Sequence, residues 1–94
     1  MEEFDIKYLW VFNGAFARFP CAVYTTRCNA EGDIKRFGMT GVLTKYPIDM
    51  TVFEWAINKD KFIPSEEQRT SPEFVQRFSS ASLEHYHYEN GEIA

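Results

Sequence analysis

Residues 6–12, Ile6-Lys7-Tyr8-Leu9-Trp10-Val11-Phe12, constrain this chain more than any other stretch. β-branched and aromatic residues dominate it, and such residues suit an extended, pleated backbone. Its apolar side chains fall on both parities: Ile6, Tyr8, Trp10 and Phe12 on one, Leu9 and Val11 on the other. Successive strand residues point to opposite faces, so a strand that is apolar on both belongs in the interior of a sheet. Asn13-Gly14 follows at once and turns the chain, because both residues tolerate positive φ. The run Phe19–Tyr24 reads as the return strand, with Pro20 at its start because proline cannot donate to a ladder.

The rest of the chain alternates short helices with short strands. Thr25 or Thr26 caps a helix to Phe37, whose apolar face is Ala30, Ile34 and Phe37, with Gly38 just past its end. Gly41–Tyr46 reads as a strand stopped by Pro47. Asp49 is the expected cap of a second helix, Met50–Lys59, with an apolar stripe of Val52, Phe53, Ala56 and Ile57 and with Trp55 at its flank. Asp60–Thr70 reads as an exposed loop. Ser71-Pro72 opens a third short helix, since serine is a favoured cap and proline is pre-organised for the first helical position. Leu83–Glu89 alternates as a last strand, Asn90-Gly91 turns out of it, and residues 92–94 are expected to be a loose tail. The order β-β-α-β-α-α-β predicts one two-layer α+β domain over residues 1–94. Its mainly antiparallel sheet has about four strands, with two to three helices on one face.

Composition narrows the function. The chain has 94 residues, 45% apolar and 17% aromatic, enough to bury a core, and its formal charge is −4. Residues 1–49 balance six basic against six acidic side chains; residues 50–94 carry four against eight. That distribution lacks the basic footprint of a nucleic-acid binder and is compatible with a basic protein partner. The N-terminus MEEFDIKY is too acidic and too polar for a signal peptide, and no apolar run is long enough for a membrane span. Cys21 and Cys28 are seven apart and match no C-x-x-C pattern. The expectation is a reduced, cytoplasmic protein whose two cysteines serve as small core residues.

Candidate chemistry centres on Leu83–Glu89. His85 and His87 share one face of that strand and Tyr86 and Tyr88 the other. Two such histidines with Glu89 could hold a metal, or one could act as a general acid or base. The chain has no further histidine, and a zinc site wants three or four ligands, so neither a metal nor a cofactor is assigned. Cys21 or Cys28 beside a histidine would make a nucleophile, but neither sits in a recognisable motif. No phosphate-binding glycine loop is present, and Gly38-Met39-Thr40-Gly41 reads as a tight helix-to-strand connection. Most of the phenylalanines are needed for the core; Trp10, Trp55 and the tyrosines carry polar handles that can face water.

Taken together, Trp10-Val11-Phe12-Asn13-Gly14, Phe19-Pro20, Gly41-Val42-Leu43-Thr44-Lys45-Tyr46-Pro47-Ile48-Asp49, Trp55-Ala56, Ser71-Pro72-Glu73-Phe74 and Glu84-His85-Tyr86-His87-Tyr88-Glu89-Asn90-Gly91 resemble a family of small bacterial proteins known as a domain of unknown function. The resemblance spans nearly the whole chain and implies no activity. Small acidic bacterial domains without a catalytic motif include many immunity proteins, which bind and block a toxin. By that analogy the chain is a non-enzymatic protein-binding domain. Glu66, Glu67, Glu84, Glu89 and Glu92 would meet a basic toxin, His85 and His87 would lie in the same contact, and Tyr86, Tyr88 or Trp55 would be its anchors. The rival readings are a small metal-dependent or histidine-based enzyme using His85, His87 and Glu89, and an oligomeric accessory module.

Overall fold

The computed structural model describes residues 5–94. Of the N-terminal stretch read above as no signal peptide, residues 1–4 lie outside the described residues. The chain divides into two compact units, Met1–Ile48 with Leu83–Ala94, and Asp49–Ser82. The class is α+β, as the sequence implies.

The first unit holds strands β1 (Tyr8–Gly14), β2 (Ala22–Tyr24), β3 (Gly41–Pro47), β4 (His85–Glu89) and β5 (Glu92–Ile93), and helix α1 (Arg27–Phe37). The strands form one antiparallel sheet in the order β2-β1-β3-β4-β5. β1 is interior, as its two apolar faces require. Residues 92–94 are a correction: Asn90-Gly91 closes a hairpin, Glu92 pairs with Glu89, and the Ala94 amide donates to the His87 carbonyl at 2.8 Å. The return strand is shorter than expected, because Phe19 and Pro20 stay in the connecting loop.

Helix α1 starts where the Thr26 hydroxyl accepts the Asn29 amide at 3.1 Å. It ends in a left-handed Gly38 (φ 65°), with Met39 N–H donating to Ile34 and Gly38 N–H to Lys35. This paired closure satisfies carbonyls that the last turn would otherwise leave open. Ala30 and Ile34 pack with Trp10, Phe12, Leu43 and Tyr88 in the core of this unit. Phe37, expected on the same face, is 65% exposed, and the Arg36 guanidinium lies 4.3 Å over its ring. The helix stops at that residue, so the face continues to Gly38 and Phe37 falls on the flank. Gly41 lets β3 pass close to β1: a Cβ there would stand 2.3 Å from the Asn13 carbonyl oxygen.

The second unit holds α2 (Val52–Asn58), α3 (Glu66–Arg69) and α4 (Pro72–Arg77). Thr51, not Asp49, caps α2; its hydroxyl accepts the Glu54 amide at 3.0 Å, while Asp49 takes φ 65° two residues earlier. The segment read as a loop contains α3, closed by a reciprocal bond pair between Ser65 and Gln68. Ser71 caps α4, as expected. Phe53, Phe62, Phe74 and Phe78 form one ring cluster, with every pair of centroids 4.9–6.1 Å apart. Trp55 is buried beside Phe53 and Ala56 in sequence, at 6% exposure.

Candidate functional site

Alternation along β4 gives the last strand two different faces. Tyr86 is half-buried and Tyr88 buried, whereas Glu84, His85, His87 and Glu89 are exposed. Ladder pairing sets Tyr86 against Leu43 and His87 against Val42, with Asn13 on the far side of Val42. The tyrosine face therefore belongs to the core under α1, and the histidine face to the opposite side of the sheet.

On the tyrosine face, α1 and β4 are tied by one polar network. The Tyr88 hydroxyl donates to Glu31 Oε2 at 2.5 Å, and Arg27 Nε donates to the same oxygen at 3.0 Å. Burial and the bond to Glu31 push the Tyr88 phenol up to about 12. The hydrogen bond from Tyr88, with Arg27 beside it, holds the Glu31 carboxyl below its usual range. The Arg27 guanidinium also stacks 3.6 Å over the Tyr86 ring, and Tyr86 donates to Glu84. Lys45 stands 3.8 Å from Glu84 and 4.6 Å from the Tyr8 ring centre. Every charge in this network has a structural counterpart, so the network reads as a clasp holding α1 to the sheet.

The histidine face leads to a shallow cleft of about 410 Å³, lined by Asn13–Ala15, Thr40–Val42, His87 and Tyr88. The β1–β2 loop rises from its rim. The Ala17 amide donates to Gly14, and the Cys21 amide to Phe12 at 3.0 Å, which fixes the loop at both ends. Between them Phe16 is fully exposed at φ 65°, and Phe19 is 71% exposed. A bulky residue at positive φ is an outlier in backbone preference, and such outliers cluster at binding sites. Sequence reasoning passed over this loop because it assigned Phe19 to a strand. The signal it missed is two phenylalanines, flanking Arg18, in a connection too short to bury them.

A family model described as Domain of unknown function (DUF7710) matches residues 9–94. The chain belongs to that family. The family match spans the cleft, the aromatic loop and all of β4. No curated protein and no solved structure matches the chain.

The expected site residues divide between the two units. Glu84, His85, Tyr86, His87, Tyr88 and Glu89 lie in the sheet unit; Glu66, Glu67 and Trp55 lie in the helical one. Trp55 and Tyr88 are buried and cannot be surface anchors. Glu66 and Glu67 occupy the first turn of α3, where acidic side chains suit the helix dipole. The acidic second half of the sequence does not survive as a structural feature. Asp49–Ser82 carries six acidic side chains against four basic, and the rest of the chain eight against six, so each unit has a net charge of −2. Cys21 and Cys28, expected in the core, are exposed free thiols. Among the described residues no group of three or more His, Cys, Asp or Glu is placed to hold a metal ion, and no helix is long and apolar enough to cross a membrane.

Proposed function

We propose that this chain is a non-enzymatic protein-binding domain of the bacterial cytoplasm, most specifically an immunity protein that neutralises a toxin by covering its surface. The exposure of Phe16 and Phe19 on a fixed loop is the observation that carries the reading. Aromatic side chains held clear of the core are the residues that anchor protein interfaces, and binding residues gather on loops set by a rigid scaffold. Beyond β3 in the strand order, β4 and β5 add charge. Glu89 and Glu92 stand directly opposite each other in the ladder, are exposed, and form no ion pair among the described residues. Like charges in that relation destabilise a hairpin, and a basic partner relieves the repulsion.

Affinity capture from the host tests this with three baits: the native chain, Phe16→Ser/Phe19→Ser, and Glu89→Lys/Glu92→Lys. One basic protein recovered in stoichiometric amount by the native chain, and lost from both variants, is the expected result. The same proteins on all three baits, or none on the native one, would end the proposal. A parallel Glu66→Lys/Glu67→Lys bait is expected to retain the partner, because those two carboxylates already serve α3.

A further inference from the structure

We infer that His85 and His87 form a solvent-open, two-imidazole chelate for a divalent transition-metal ion. This goes beyond the protein-binding reading and does not depend on it. The two side chains share one face of β4, both are exposed, and their ring centres are 5.5 Å apart at an interplanar angle of 77°. Two imidazoles bound through ring nitrogens to one tetrahedral ion, at about 2.0–2.1 Å each, have centres about 5 Å apart. The spacing of the two rings therefore matches that of a pair bound to one ion.

The tautomer is also set. His85 Nδ1 lies 2.7 Å from the Leu83 carbonyl oxygen. A carbonyl only accepts, so in the neutral ring the proton sits on Nδ1 and the Nε2 lone pair is left for a ligand. Metal-binding histidines are oriented by this same kind of bond from the other ring nitrogen to a backbone carbonyl. The backbone beneath is held from both sides: His85 pairs with Thr44, His87 pairs with Val42, and the His87 carbonyl accepts the Ala94 amide. The chelate thus stands on a fixed strand.

With two protein ligands, the remaining coordination positions go to water. Imidazole nitrogen suits Cu²⁺, Ni²⁺ and Zn²⁺, whereas Mg²⁺ and Ca²⁺ need oxygen donors that this face does not bring together. Among the favoured ions, Cu²⁺ binds most tightly to a given nitrogen site.

The test is calorimetric titration of the tag-free full chain with Cu²⁺, Zn²⁺ and Mg²⁺. It is run in a Cys21→Ser/Cys28→Ser background, because exposed thiols compete for these ions. The expected result is one Cu²⁺ or Zn²⁺ per chain, Cu²⁺ the tighter, and no Mg²⁺. His85→Asn and His87→Asn, both at exposed positions, are each expected to lower the Cu²⁺ affinity by more than about tenfold, since loss of even an orienting partner costs 10–100-fold. Broadening of amide signals by Cu²⁺ is expected to concentrate on β4 and on Val42 and Thr44. Unsaturable binding, equal Mg²⁺ binding, or unchanged Cu²⁺ affinity in either histidine variant overturns the site.

Discussion

Tyr88 does two jobs with one side chain. Its ring fills the core beneath α1, and its hydroxyl reaches a carboxylate 57 residues away in sequence. Tyr88→Phe keeps the ring and removes the bond to Glu31. A hydrogen bond to a charged group contributes about 1.5–3 kcal/mol, so urea unfolding at neutral pH is expected to show a loss of about 2 kcal/mol. The pH dependence follows from the signs of the shifts. The Tyr88 phenol is raised in the folded chain from 10.0 to about 12. Its contribution is complete below pH 10 and is lost as pH rises from 10 to about 12. Glu31 is shifted down, so its contribution is present above the ordinary carboxylate range and is lost as pH falls through its lower folded value. The difference in stability between native chain and Tyr88→Phe is therefore expected to be flat near neutrality and to shrink at both ends. A constant difference up to pH 12 would show that the hydroxyl contributes nothing through ionisation. Alternation along β4 already put Tyr88 opposite the histidines; the sequence held no sign that Glu31 was its partner.

Helix α3 shows how a short element escapes periodicity while its cap remains readable. Ser65-Glu66-Glu67-Gln68 matches a serine followed three residues later by glutamine, the signature of reciprocal capping. Four helical residues are too few to display an apolar face, and the surrounding proline and charges read as loop. In the folded chain Ser65 Oγ accepts the Gln68 amide at 3.2 Å and Gln68 Oε1 accepts the Ser65 amide at 2.9 Å. Ser65→Ala removes the first of these. The expected cost is about 1 kcal/mol, confined to α3. It is read as faster hydrogen exchange at Arg69, whose amide donates to the Ser65 carbonyl, with exchange in α1 unchanged. Strand β5 escaped notice for the same reason. Asn90-Gly91 was a legible turn, but two residues beyond it cannot show alternation.

At the scale of the whole molecule, the sheet is assembled from both ends of the chain. Residues 49–82 form a unit of their own between β3 and β4, and Leu83 and Tyr88 then return to the sheet unit as buried side chains. Removing a buried side chain of that size costs about 2–5 kcal/mol, against a total stability of about 5–15 kcal/mol. Ending the chain at Ser82 removes both, together with the whole partner strand of β3 on that side. The expected outcome is loss of the cooperative thermal transition, followed by near-ultraviolet circular dichroism. Survival of that transition within a few degrees of the native Tm would mean that the first 48 residues hold the sheet without β4.

Local chemistry fixed what could be read without the fold. The interior place of β1, the caps of α1 and α4 and the α+β class all depend on side chains within a few residues of one another; Asn13-Gly14, expected to turn the chain, instead end β1 in the ladder opposite Val42 and Gly41, and the turn falls at Ala15-Phe16. Propensity, periodicity and capping act at that range. Tertiary structure decided the rest. It buried Trp55, exposed Phe16, Phe37 and both cysteines, joined Glu31 to Tyr88 and divided the acidic charge between two units. Those outcomes depend on which distant segments meet and in what register, and a one-residue change of register exchanges the two faces of a strand.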